Sequence, residues 1–265
     1  MDEIIEKSVE RVIRAMHENL GEQITIDDMA RTAMFSKFHF SRIFQRVTGI
    51  SPGRFLSALR LQEAKRLLLT TSMTVADISH LVGYNSIGTF SSRFRGSVGV
   101  SPTEYRQQRG YVVPLAVVPD APPVPGPCSV HGQVWRPTSC DPGHVAIGLF
   151  PDRIAQGTPV RHATRTGAGP FVLADVPDGT WYLLAYSAED GHLEPGPDRT
   201  YVATYGPLEV RPRHLEAGRA HNVDLWLRPR RIFDPPALLA QLDQPMWTAQ
   251  AWASGRADQA ALPGA

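Results

Sequence analysis

The chain has 265 residues, 42% of them hydrophobic, enough to bury the cores of two ordinary domains. Its net charge of +1 hides an asymmetry: residues 1–110 hold 15 Lys and Arg against 11 Asp and Glu, whereas residues 111–265 hold 12 against 15. All three lysines (Lys7, Lys37 and Lys65) fall in the first part, and broad contact with phosphates is not expected of the second.

In chain order, the first 110 residues read as helices, and one pattern occurs twice. Residues 25–52 run T-I-D-D-M-A-R-T-A-M-F-S-K-F-H-F-S-R-I-F-Q-R-V-T-G-I-S-P, and residues 74–102 repeat that plan about fifty residues later. Thr25 matches Thr74, Asp28 matches Asp77, Met29 matches Ile78 and Phe35 matches Tyr84. After one extra residue, Asn85, Ser36 matches Ser86, Phe40 matches Phe90, Phe44 matches Phe94, and Gly49-Ile50-Ser51-Pro52 matches Gly99-Val100-Ser101-Pro102. Thr25-x-x-Asp28 and Thr74-x-x-Asp77 are capping boxes that each open a short helix. Ser36 and Ser86 stand where they can cap the next helix, whose phenylalanines four apart share one face. Gly49 and Gly99 supply left-handed stops, and Ser51-Pro52 and Ser101-Pro102 place a cap and a first-turn proline on a further helix. Two helices joined by a three- to four-residue turn make a helix-turn-helix, whose second helix can lie in a major groove.

These residues and their surroundings, from about Ile4 to Arg109, resemble the DNA-binding domain of the AraC/XylS family of transcription regulators. The strongest stretch is A-K-R-L-L-L-T-T-S-M-T-V-A-D-I-S-H-L-V-G-Y-N-S-I-G-T-F-S-S-R-F-R-G-S-V-G-V-S-P-T-E-Y-R, residues 64–106. The resemblance implies seven helices in two helix-turn-helix units joined by a long helix, here about 52–69. It also implies that both recognition helices enter successive major grooves on one face of double-stranded DNA. DNA is thus the implied partner, with RNA polymerase as a further one.

In the first recognition helix, Phe40, Ile43 and Phe44 are expected in the core, which turns Lys37, Phe38, Ser41, Arg42 and Gln45 outward. Arg42 stands at the family's arginine position, suited to guanine O6/N7 or a phosphate, and its bland alternative is a solvated surface arginine. Ser41 matches a base-contacting position. Lys37 and Arg46 suit phosphates, which position a protein without reading sequence. Phe38 can pack on a thymine methyl or serve structure. The second helix departs from the family, where a polar residue and then Arg precede the apolar residue and Phe. Here the run is Phe90-Ser91-Ser92-Arg93-Phe94, so the arginine falls one residue late, a rotation of about 100°. Ile87, Gly88, Ser91 and Ser92 then face the groove, Arg93 and Arg95 are left for phosphates, and this half contributes less direct base readout.

Residues 111–127 carry six prolines in 17 positions and read as a semi-rigid linker. Beyond it the pattern alternates. Candidate strands are 130–135, 144–150, 161–166, 170–176, 180–187, 201–205, 208–211 and 221–228, separated by Gly, Pro and Asp turns. They make an antiparallel sandwich over 128–231, and G-P-F-V-L-A-D-V-P-D-G-T-W-Y-L-L-A (residues 169–185) resembles a hairpin of carboxypeptidase-regulatory-like or prealbumin-like domains. The fold class is therefore multi-domain: an all-α double helix-turn-helix domain (1–110) plus an all-β antiparallel sandwich. The tail, 232–265, holds a short helix candidate at 236–242.

No catalytic motif emerges. His131, His144, His162, His192, His214 and His221 show no metal-ligand spacing, and no nucleophile elbow, phosphate loop or dinucleotide fingerprint is present. Catalytic residues, metal and cofactor are accordingly expected to be none. Trp135, Trp181, Tyr182, Tyr186 and Trp226 can line a ligand pocket, although strand aromatics more often fill a core. The acidic start Met1-Asp2-Glu3 lacks the apolar run of a signal peptide, no stretch is long enough to span a membrane, and two cysteines (Cys128, Cys140) fit a reducing compartment; a cytoplasmic location follows. Three readings stand. The first is a regulator whose β domain senses a small-molecule effector or meets a protein partner. The second gives the β domain a purely structural or interaction role, favoured by a side-chain-filled sandwich. The third, a DNA-tethered enzyme, is disfavoured by the missing motifs.

Overall fold

Helical spacing over the first 110 positions becomes seven helices in the computed structural model, which describes residues 2–110, 128–136, 143–188, 200–211 and 219–240. They are α1 (Asp2–Glu18), α2 (Ile26–Ala33), α3 (Lys37–Thr48), α4 (Pro52–Thr70), α5 (Val75–Leu81), α6 (Ile87–Val98) and α7 (Pro102–Gln107). The two repeats are α2–α3 and α5–α6, with α4 between them. Both expected capping boxes form: the Thr25 and Thr74 hydroxyls accept from the Asp28 and Asp77 amides, while those carboxylates accept from the threonine amides. The threonine hydrogen bonds hold both aspartates below the usual carboxylate pKa. Ser86 and Ser101 cap α6 and α7 as expected. Ser36 and Ser51 occupy the cap positions but make no side-chain cap bond. Pro52 removes one orphan donor at α4, and the exposed start of α3 leaves its N–H groups to solvent.

Each repeat buries its phenylalanines against the next helix. Phe40, Phe44 and Phe55 pack edge to face with centroids 5.5 Å apart, and Tyr84, Phe90, Phe94 and Tyr105 form the matching chain at 5.4–5.7 Å. Such pairs add about 0.5–1.5 kcal/mol each beyond area burial. Gly49 and Gly99 stop α3 and α6 at φ 82° and 99°. The second turn is longer than the expected three to four residues, running over 82–86. Gly83 takes φ +82° there, and a Cβ on it would lie 2.5 Å from the Leu20 carbonyl oxygen. Its counterpart Met34 adopts φ 62° at the end of α2, where an exposed side chain (80%) has room.

The second part holds β1 (Cys128–Trp135), β2 (His144–Phe150), β3 (Arg161–Thr166), β4 (Gly169–Leu173), β5 (Gly179–Ala188), β6 (Thr200–Val210), β7 (Arg219–Asn222), β8 (Leu225–Trp226) and β9 (Arg228–Pro229). One sheet has the order β4-β1-β7 with β8 also on β1; the other runs β3-β2-β5-β6-β9. The antiparallel expectation holds for β1–β4, β2–β3, β2–β5, β5–β6 and β6–β9, and is corrected only where β1 pairs in parallel with β7 and β8. Two expected strands, 201–205 and 208–211, are one: Gly206-Pro207 sits inside β6 opposite the irregularity between Trp181 and Leu183, where a ladder tolerates proline. The expected strand 221–228 is instead split, with β7 and β8 in one sheet and β9 in the other. Within β1, Gly132 is forced by crowding, since a Cβ would meet the Val223 carbonyl oxygen at 1.9 Å. One buried cluster draws on both sheets, with Val130, Val134 and Leu173 from the first and Val145, Ile147, Leu183 and Ala185 from the second.

The helical and β parts are packed together. Ile154, Phe233, Leu238 and Ala240 are buried in the cluster that also holds Phe40 and Phe94. The expected helix at 236–242 is absent over residues 236–239, which run as irregular buried chain, and positions 241–242 lie outside the described residues. A first-turn proline such as Pro236 is compatible with a helix, so burial of Leu238 and Ala240 in the helical core, rather than proline, decides the form of this run. The linker 111–127, Cys140, His192 and His214 also lie outside the described residues. At the seam Arg228 grips Asp234 through two bonds of 2.6 Å, and burial pushes the Tyr186 hydroxyl up to about 12.

Candidate nucleic-acid interface

The inward phenylalanines decide what α3 and α6 leave outside. On α3, Phe40, Ile43 and Phe44 are buried, and Lys37, Phe38, Arg42, Gln45 and Arg46 are exposed. Phe38 is 83% exposed, far more than a structural aromatic needs. Lys37 donates to Asp27 across the α2–α3 turn at 3.2 Å. Ser41 is half-buried and its hydroxyl donates to the Lys37 carbonyl at 2.9 Å, which still leaves its lone pairs free to accept. Among the described residues no ion pair engages Arg42, Arg46 or Arg93. A guanidinium held out on a helix with no competing carboxylate can give two parallel donors to a base edge or phosphate.

On α6, Phe90, Phe94 and Val98 are buried, so Ile87 (44% exposed), Gly88, Ser92, Arg93 and Arg95 lie outside and Ser91 is half-buried. The one-residue displacement of the arginine has a visible consequence. Arg93 lines a groove of about 350 Å³ between α4 and the start of α6, together with Gly53, Ser57, Arg60, Ser86 and Thr89. The outer face of α6 is therefore small, apolar and hydroxylic, while that of α3 is cationic.

Sequence reasoning missed Arg60, which ties one unit to the other. From α4 it donates to the Leu20 carbonyl at 2.9 Å and the Glu22 carbonyl at 2.6 Å, and its guanidinium also lies against Gly83. Beside it Gln23 donates to Asn85 at 3.3 Å, so the inserted residue of the second turn meets the loop before α2. The available signal was the unmatched glycine: Gly83 aligns with Met34, and only the former is crowded.

The remaining chemistry of the chain is sparse. Among the described residues no three His, Cys, Asp or Glu side chains stand close enough to hold a metal. Cys128 is a half-buried free thiol whose pKa burial raises. Trp135 and Trp226, expected in a pocket or core, are in neither: they are exposed and stack on each other at 5.4 Å across the β1–β8 pair. Among the described residues no helix is long and apolar enough to cross a membrane.

Comparison with known proteins places a helix-turn-helix domain at residues 29–108. The transcriptional activator AarP of Providencia stuartii is 33% identical over 88 residues, which are 33% of this chain and 65% of that protein. The lactose operon transcription activator of Staphylococcus xylosus is 30% identical over 104 residues, 39% of this chain and 37% of that protein. Among solved structures, a transcriptional regulator of the AraC type from Chromobacterium violaceum is 30% identical, with 39% of this chain covering 93% of that one at a TM-score of 0.38. The chain thus spans roughly a third to two thirds of the length of these two curated relatives.

Proposed function

We propose that this chain, whose N-terminal part is a helix-turn-helix domain of the AraC type, is a sequence-specific transcription regulator that binds double-stranded DNA through α3 and α6 in successive major grooves. The observation that carries this reading is the duplicated unit whose buried phenylalanines leave two recognition helices with exposed outer faces. Arg42 and Ser41 read bases, Phe38 packs on a thymine methyl, and Lys37 and Arg46 hold phosphates. On α6, Ile87, Gly88, Ser91 and Ser92 face the groove, with Arg93 and Arg95 near the backbone. RNA polymerase is the further partner the family resemblance supplies.

The division into 1–110, a linker at 111–127, a β-sandwich at 128–231 and a tail at 232–265 belongs to the same reading. Of the two roles open to the β domain, sensing or interaction and a purely structural one, the aliphatic and aromatic cluster that its sheets share supports the structural one.

Selection of genomic fragments by the purified full chain tests the reading. Enriched fragments are expected to share one motif with two half-sites. Enrichment no better than that of random fragments would contradict it.

A further inference from the structure

The connection from β2 to β3 leaves its sheet and reaches both helix-turn-helix units. Asp152 pairs with Arg54 in the first turn of α4, directly after the first recognition helix. The Arg153 side chain lies against Gly49, the residue that stops α3; a Cβ there would come within 2.6 Å of its Cδ. It is held in place from the β side, over the Tyr182 ring at 5.3 Å and with a bond of 3.4 Å to the Gly206 carbonyl. A few residues on, the same loop grips the end of α6: the Gly157 amide donates to the Ser97 carbonyl at 2.8 Å, and the Ser97 hydroxyl donates to Gln156 at 3.3 Å. Between these two grips Ile154 is 2% exposed and buried in the helical core.

A second segment backs the loop. The Leu238 and Leu239 amides both donate to the Ala155 carbonyl, at 2.9 and 3.2 Å, and the Leu238 carbonyl accepts from the buried Lys65 ammonium of α4 at 3.1 Å. The loop is therefore anchored from behind and cannot slide without breaking bonds to α4 as well. Its contacts fall at the C-terminal ends of α3 and α6 and at the start of α4, on residues other than those assigned above to DNA.

We infer that residues 152–157 are a spacing brace: by holding the end of α3 and the end of α6 at once, the β domain fixes the separation and angle of the two recognition helices and so selects operators with one half-site spacing. This rests on the proposed reading of α3 and α6. Arg60 joins the units on one side, and the brace joins them on another. A second point of attachment removes rotations that a single one leaves free. The precision matters because each base pair adds about 3.4 Å of rise and turns the groove by about 35°. Asp152, Arg153 and Gln156 act here as positioning residues, with no contact to DNA.

The test uses the full chain carrying Arg153→Ala and Gln156→Ala, which removes the side chains at the ends of α3 and α6 and spares Ile154. Affinity is measured on a selected operator and on versions with one base pair added or removed between half-sites. The parent protein should lose about tenfold or more on either altered operator. The double variant should bind the original within about threefold of the parent and lose no more than threefold on the altered ones. An unchanged spacing penalty in the variant, no penalty in the parent, or loss of binding at every spacing by a folded variant would each overturn the brace. Spin labels at positions 45 and 89, in a background with both cysteines replaced by serine, give a reading that needs no operator. A narrow distance distribution in the parent should broaden in the double variant, and equal widths count against the brace. Failure to select any operator would sink the DNA-binding reading instead, and leave the label distances to decide the brace.

Discussion

Phe94→Ala should lower the unfolding free energy by about 3–5 kcal/mol, the largest single effect expected in the helical part. The side chain is fully buried and lies between Phe90 and Tyr105, with ring centroids 5.7 Å from each. Removing the ring opens a cavity between α6 and α7, and neither helix can close it without moving Phe90 or Tyr105. Phe38→Ala provides the contrast, since 83% of that residue is already in solvent. It should shift stability by no more than about 0.5 kcal/mol, yet weaken DNA binding if the ring meets a thymine methyl. Urea unfolding followed by circular dichroism measures both. A Phe94 variant as stable as the parent would mean that the second unit is not packed as described.

Arg42→Ala should lower operator affinity by about 1–3 kcal/mol, roughly five- to 150-fold, and by more than Ser92→Ala. Arg42 is exposed on α3, and no ion pair with a described residue competes for it. Ser92 offers only a hydroxyl, and the arginine beside it lines the groove toward α4. The two halves of the surface therefore differ in kind: α3 carries a guanidinium suited to bidentate readout, and α6 carries short side chains suited to close approach. Gel-shift titration on the selected operator ranks them. Ser92→Ala costing more than Arg42→Ala would mean that α6 dominates recognition and that its displaced arginine has been misread.

Much of this was legible in the sequence because it is local. Capping boxes, left-handed glycines and phenylalanines four apart act within one or two turns, so Thr25, Thr74, Gly49, Gly99 and Phe40 announce their roles without a partner in view. The exposed faces of α3 and α6 follow by subtraction once the buried faces are known. What was not legible depends on distant chain. The β1–β7 pairing is parallel because residues 219–222 return beside 128–131, and no turn chemistry between them encodes that. Gly206-Pro207 reads as a turn by composition, and only the irregularity in β5 opposite makes room for it within a strand. The run at 236–239 has apolar residues in helix-like number, but their burial against the helical core decides its form. The seam between the two parts is the largest omission: Ile154, Asp152 and Gln156 look like ordinary loop residues until Arg54 and Ser97 are found opposite them.

Both recognition helices should sit in DNA together, and hydroxyl-radical footprinting of the full chain on a selected operator tests that most directly. The expected result is two protected segments on one face of the duplex, centred about 10–10.5 base pairs apart. A single protected segment, or two on opposite faces, would contradict it.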